Sequence, residues 1–318
     1  MKTDRKERSV DTPTPVSHRG AALTESTQPA PGAAGRPSNG ESIYRAVWGC
    51  VNAALALAIL LALYSIGWEY STRRYLKGFS DAVVPVSAAP LEKAEAILNW
   101  MGHGPARKPA GPDGHAPDRD PTETLNYYAL LKVCGSATNA FINLADSSGL
   151  EARRLLLLDS HRLAKHVSAE LLVDGRWIVV DPAFRVIFRG PDGTTLTRGQ
   201  LADPATFAAA TRDIPGYDPN YSYESTVHLR LGRLRFIGKP LRWTLDHLAP
   251  HWDESSTVSL LVERSSFAAA SATLLLVFIL FGLRFALRRY GERHLGVHSV
   301  RFRRQVRRAL QSFVDTAG

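Results

Sequence analysis

Val133-Cys134-Gly135, Lys165-His166-Val167 and Trp177-Ile178-Val179-Val180-Asp181-Pro182 are three segments of one stretch that runs to Phe184. They carry a thiol, an imidazole and a carboxylate in that order, the parts of a nucleophile, its base and the group that orients the base. Two apolar-rich runs, Ser168 to Val173 and Arg176 to Val180, are joined by Asp174-Gly175. That dipeptide favours a two-residue type I′ hairpin turn. A turn there sets Val173 opposite Arg176, Leu172 opposite Trp177 and Ser168 opposite Asp181. His166 then lies one diagonal from Asp181 on the same face of the ribbon. Such neighbours are roughly 7 Å apart at the backbone, within reach of an imidazole hydrogen-bonded to a carboxylate.

Upstream, Ala137, Ala140, Phe141, Leu144 and Ala145 recur at helical spacing, and Ser147-Ser148-Gly149 supplies the stop. Cys134 therefore falls at a helix N-terminus, where unpaired N–H groups and the helix dipole favour a thiolate. The same N–H groups can stabilise the oxyanion of an acyl-transfer intermediate. Asn126 is the one upstream side chain that presents itself as a further oxyanion donor, and its spacing fixes nothing. Taken singly, Cys134 reads as a small core residue, His166 as a surface histidine and Asp181-Pro182 as a strand-ending turn. Taken together with the hairpin, the three read as a site.

At these residues the chain resembles the transglutaminase-like superfamily, whose papain-like core carries a cysteine at a helix start, a histidine on one strand and an aspartate on the next. Val133-Cys134-Gly135 with its helix, Gly149 to Arg153, Lys165 to Glu170 and Trp177 to Pro182 follow the family pattern over a core of about 122 to 198. The resemblance implies an α+β fold, a helix packed on an antiparallel sheet, with Cys134 as nucleophile, His166 as general base and acid, and Asp181 as orienting carboxylate. It implies no cofactor and no metal.

The 318 residues carry a net charge of +9 and are 45% hydrophobic, enough for a substantial core. Ala46 to Trp68 and Ser265 to Leu283 are free of charge. Each is close to the roughly 20 apolar residues that cross a bilayer. Trp48, Tyr64 and Trp68 sit near the ends of the first, as interfacial anchors do. Arg284, Arg288, Arg289 and Arg293, followed by five more arginines from Arg301 to Arg308, lie beyond the second and mark a cytoplasmic side. Arg73, Arg74 and Lys77 after the first give a weaker hint of the opposite sense.

The expected organisation is a disordered cytoplasmic tail (1–45), a span (46–68), an extracytoplasmic domain (69–264), a second span (265–287) and a basic amphipathic tail (288–318). Phe302, Val306, Leu310 and Phe313 recur at helical spacing between the tail arginines, so anionic lipid is the expected partner of the positive charge and nucleic acid is not. The chain holds two cysteines. Cys50 falls in the first span and Cys134 in the outer domain, so they are not expected to pair.

Pro90 opens a helix with Leu91, Ala94, Leu98 and Met101 on one face, and Gly102 to Pro121 reads as a surface loop. Thr124 to Val133 is expected as a short helix, Ala152 to Leu158 as a buried strand, and Phe184 to Thr197 as a hairpin turning at Pro191-Asp192-Gly193. His103 with His115, and His247 with His251, match no metal-ligand spacing; Pro250 interrupts the second pair. The aromatic segment from Gln200 to Tyr223 reads as ordinary loop packing, with a lid or a glycan platform as alternatives.

The expectation is a membrane-tethered cysteine acyl-transfer enzyme of the inner membrane, both termini cytoplasmic, acting on amide bonds in a protein, peptide or envelope polymer, as a peptidase or amidase in preference to a crosslinking enzyme, between which the sequence does not decide. The alternative is a silent module of the same fold in a cell-envelope or polysaccharide-export assembly.

Overall fold

The computed structural model describes residues 39–105, 107–108, 120–230 and 238–295. It is an α+β fold built on one antiparallel sheet of five strands in the order β4-β3-β2-β1-β5. These are β1 (Ala152–Leu158), β2 (Ala164–Val173), β3 (Arg176–Asp181), β4 (Val186–Ile187) and β5 (Thr226–Val227). The β2–β3 register runs from Val173↔Arg176 to Ala169↔Val180, as the turn dipeptide requires. Asp174 and Gly175 have φ of +49° and +76°, the left-handed pair of a type I′ turn.

Both faces of the sheet are covered. On one lie α4 (Cys134–Ser147) and α2 (Pro90–His103), whose Phe141, Leu144, Ile97 and Met101 pack with Ala169, Leu171, Ile178 and Val180. On the other, Leu155, Leu157 and Val179 meet Phe188, Leu201, Phe207, Tyr217 and Tyr223, brought there by α5 (Arg198–Leu201), α6 (Pro204–Thr211) and the turns around them. Burial on both faces explains why β1 ends in the unbroken apolar run Leu155 to Leu158 instead of an alternating one, while its Arg153 and Arg154 are buried against carboxylates. The hairpin after β4 turns at Gly193 (φ +80°), with Gly190 N–H donating to Thr194 O at 2.8 Å.

The expected helix at 124–133 is replaced by α3 (Pro121–Thr124) and one 3₁₀ turn, Leu130–Lys132. Lys108 forms a parallel bridge with Tyr127, and the Lys108 and Tyr128 N–H groups close it at 3.0 Å. That pairing draws residues 126–128 out of helical geometry.

Two helices are long and apolar enough to cross a membrane, α1 (Asn39–Val83) and α9 (Ser265–His294). They pack antiparallel, Glu69 of one against Ser266 of the other and Trp48 beneath Arg284 at the opposite end. Each extends past the uncharged stretch that announces it. Glu41–Arg45 and Glu69–Arg73, both four residues apart, continue the helix through charged sequence. Residues 1–38 of the N-terminal tail, most of the 102–121 loop and the 296–318 part of the basic tail lie outside the described residues. Beyond α5 and α6, α7 (Gly238–Leu248) and α8 (Ser256–Glu263) lead into α9.

Candidate active site

Cys134 is the first residue of α4, behind Val133 as N-cap in extended conformation. The first backbone bond of the helix is Ala137 N–H to Val133 O at 2.8 Å, so the N–H groups ahead of it make no helical bond, and that of Gly135 lies toward the Cys134 sulfur. The thiol is partly exposed and unpaired with the other cysteine. Val167, on β2, packs against it.

His166 enters from β2 and is buried. Its Nε2–H donates to Asp181 Oδ2 at 2.6 Å. A carboxylate only accepts, so that nitrogen carries the proton and Nδ1 is left for the thiol. The Cys134 thiol and the His166 ring lie close enough for each to shift the other's ionisation. The three residues predicted from sequence therefore converge on one chain of contacts.

Asp181 is fully buried at the end of β3 and is held from two sides. Its Oδ1 accepts from the N–H groups of Ala183 and Phe184 at 3.1 and 3.3 Å, a turn that Pro182 begins. Its Oδ2 accepts a second bond, from the Tyr217 hydroxyl at 3.1 Å, beyond the one from His166. The carboxylate thus cannot rotate without losing several partners.

The electrostatics favour an ion pair. Hydrogen bonding to His166 leads in pulling the Cys134 thiol below its ordinary pKa; burial opposes this, while the His166 charge and the Val167 and Gly135 N–H groups assist. Burial alone would lower His166. Its bonds to Asp181 and Cys134 outweigh that and raise it to about 9. Both shifts favour the thiolate–imidazolium pair over the neutral one.

The aromatic segment to Tyr223, read from sequence as ordinary loop packing with a lid as an alternative, lies against His166. Tyr221 stacks on the His166 ring at 4.5 Å with planes 17° apart, and Phe184 and Tyr217 stand 5.9 and 6.1 Å away. Tyr217 also hydrogen-bonds the Tyr223 hydroxyl at 3.3 Å, and burial drives its own pKa up, so it remains a donor. The cluster of tyrosines after Ile214-Pro215-Gly216 was the available signal. Asn126 goes elsewhere: its amide donates to Thr122 O at 3.0 Å and it lies beside Tyr75. Lys165 is exposed, 4.0 Å from Asp159. Among the described residues no cluster of three or more metal-ligating side chains occurs.

A second buried network was invisible in the sequence. Glu263 Oε2 and its carbonyl accept from Asn139, the carbonyl also accepts from Asn143, and Oε1 pairs with Arg154. Beside it, Glu170 accepts from Arg153 at 2.7 Å and from His228 at 2.8 Å, which hold its carboxyl below the usual range against the effect of burial. This network ties the middle of α4 to the helices that precede α9. No family model, no curated protein and no solved structure matches this chain.

Proposed function

We propose that the chain is a membrane-tethered cysteine acyl-transfer enzyme of the transglutaminase-like type, acting on amide bonds through Cys134, His166 and Asp181. The observation that carries this reading is the arrangement itself: a thiol at a helix start, beside an imidazole whose Nε2 meets a buried carboxylate at 2.6 Å. The thiolate adds to the carbonyl carbon while N–H groups at the start of α4 face the oxygen that gains charge. Expulsion of the amine, which takes the imidazolium proton, leaves a thioester. Water then gives a proton to His166 and displaces the thiolate, regenerating the pair. An amine in place of water would make the reaction a crosslinking one; hydrolysis is the simpler form because it needs no acceptor site.

α1 and α9 serve as two spans, with 69–264 outside the inner membrane and both termini cytoplasmic. Leu57, Leu60 and Leu63 on one helix, and Leu275, Phe278 and Phe281 on the other, are exposed, which suits lipid contact and not a buried soluble core. The arginines from Arg284 onward support the orientation.

A thiol-reactive amide probe tests the catalytic reading. Labelling of Cys134 that disappears in His166→Ala supports the enzyme. The rival, a silent module in an envelope assembly, has the Tyr221 ring over His166 in its favour. Labelling indifferent to the histidine would establish it.

A further inference from the structure

A cavity of about 320 Å³ lies between α2 and the strand β4, lined by Glu95, Leu98, Asn99, His103, Arg185, Ile187 and Arg189. Arg189 is neutralised by Glu95 at 2.7 Å. Arg185 is not: its Nε and Nη2 are out of contact with solvent and without a hydrogen-bond partner. An unpaired guanidinium with buried nitrogens is costly unless something arrives to meet it.

Three further observations describe a built site. Arg185 adopts φ +61°, which directs its stem against Gly102, where a Cβ would come within 2.9 Å of Arg185 Cδ. Arg107 stands near it, fixed by donation to Trp100 O at 2.9 Å and Met101 O at 3.3 Å, with its own Nε also unpartnered. Burial, then the facing charge of Arg185, pushes Arg107 down from its ordinary pKa, so two cations share the neighbourhood.

Position links the cavity to the chemistry. Phe184, next to Arg185, donates its N–H to Asp181 and approaches the His166 ring. β4 pairs Val186 with Asp181, so Arg185 sits at the same end of the sheet as the triad.

We propose that this cavity is a substrate subsite that binds a carboxylate, the side chain of an acidic residue in the polypeptide that Cys134 attacks, with Arg185 as its counter-charge. The inference rests on the catalytic reading of Cys134 for its substrate and on the cavity for its chemistry. The planar fork of Arg185 matches a carboxylate through two parallel N–H donors. Leu98 and Ile187 suit the methylenes of a glutamate stem.

The test uses the full chain in detergent or nanodiscs with Cys134→Ala, so that bound peptide is not consumed. Rhodamine-labelled hexapeptides with one glutamate moved through every position are compared by anisotropy with their glutamine counterparts. At the best position the glutamate peptide is expected to bind about tenfold more tightly, the scale of a charge-assisted bond. Arg185→Gln should abolish that preference. Asn99→Asp, an exposed position that adds a competing carboxylate at the cavity, should reduce it without touching the core. Equal binding of the two peptides, no binding of either, or a preference that survives both variants overturns the subsite. Turnover of the amide probe is measured separately on the unsubstituted protein. Glutamate preference without turnover removes the enzymatic reading and leaves the cavity as a carboxylate-binding site only, whereas turnover without preference removes the carboxylate site and keeps the enzyme.

Discussion

Arg264 Nε donates to Asn143 Oδ1 at 2.7 Å, joining the residue before α9 to the helix that begins with Cys134. The guanidinium is fully buried and also reaches Asp146 at 2.7 Å and Glu69 of α1 at 3.3 Å. Ser266 supplies a further bond to Glu69 at 2.7 Å. One cation therefore fastens both long apolar helices to the helix that carries the thiol.

Removing that cation should be severe. Arg264→Met leaves Glu69 short of a buried partner, and breaking a buried pair from one side costs about 3–5 kcal/mol. Thermal unfolding of the purified chain in detergent is the measurement. Adding Glu69→Gln should recover part of the loss, because it removes a buried charge left with only the exposed Arg73 as counter-ion. A single variant with unchanged stability would show that the network does not hold the helices.

Asp181→Asn should keep the fold and lower turnover by about 10³- to 10⁴-fold. The amide oxygen can still accept from Ala183 and Phe184, so the turn survives. What changes is the partner of His166 Nε2, and with it the ring's orientation and charge. Turnover within a few-fold of the unsubstituted protein would remove Asp181 from the mechanism.

Tyr217→Phe is a milder version of the same experiment. It deletes one hydroxyl bond to Asp181 and leaves the ring in the aromatic cluster. The expected loss is about 1 kcal/mol, roughly fivefold in rate. An intact rate would make Tyr217 a packing residue only.

The pH profile follows from the directions of the two shifts. His166, raised to about 9, keeps its proton through neutral pH and loses it above that, so no acid remains for the leaving amine. The rate should fall on a basic limb near 9. Cys134 is held below its ordinary range chiefly by His166, so the acid limb should lie below that of a free thiol. Both limbs are read in kcat/KM on a fluorogenic amide. In Asp181→Asn the basic limb should move down, since the largest bond that raises His166 has been weakened.

Topology has its own test. Gly199 in α5 is exposed, and a Cβ there would meet nothing within 4 Å. Gly199→Cys, in a background with Cys50 and Cys134 replaced by alanine, should react with a membrane-impermeant maleimide in spheroplasts. Protection until lysis would reverse the proposed orientation.

Residues close in sequence made the triad's strand pair legible. Asp174-Gly175 dictates a turn with two positive φ values, and the turn dictates the register that brings His166 toward Asp181. Helical spacing placed Cys134 at the start of α4, and length with apolarity marked α1 and α9 as candidates for spans. These are periodicities and turn propensities, read from neighbours a few residues apart. The contacts that complete the site join residues far apart in the chain. Tyr217 meets Asp181, Arg264 meets Asn143 and Glu69, and Arg185 is left facing an open cavity. A buried tyrosine, arginine or glutamate has no periodic signature, because its place depends on which partner the folded sheet brings to it. Local order could be read along the chain; the partners of its buried charges were decided only when distant segments packed together.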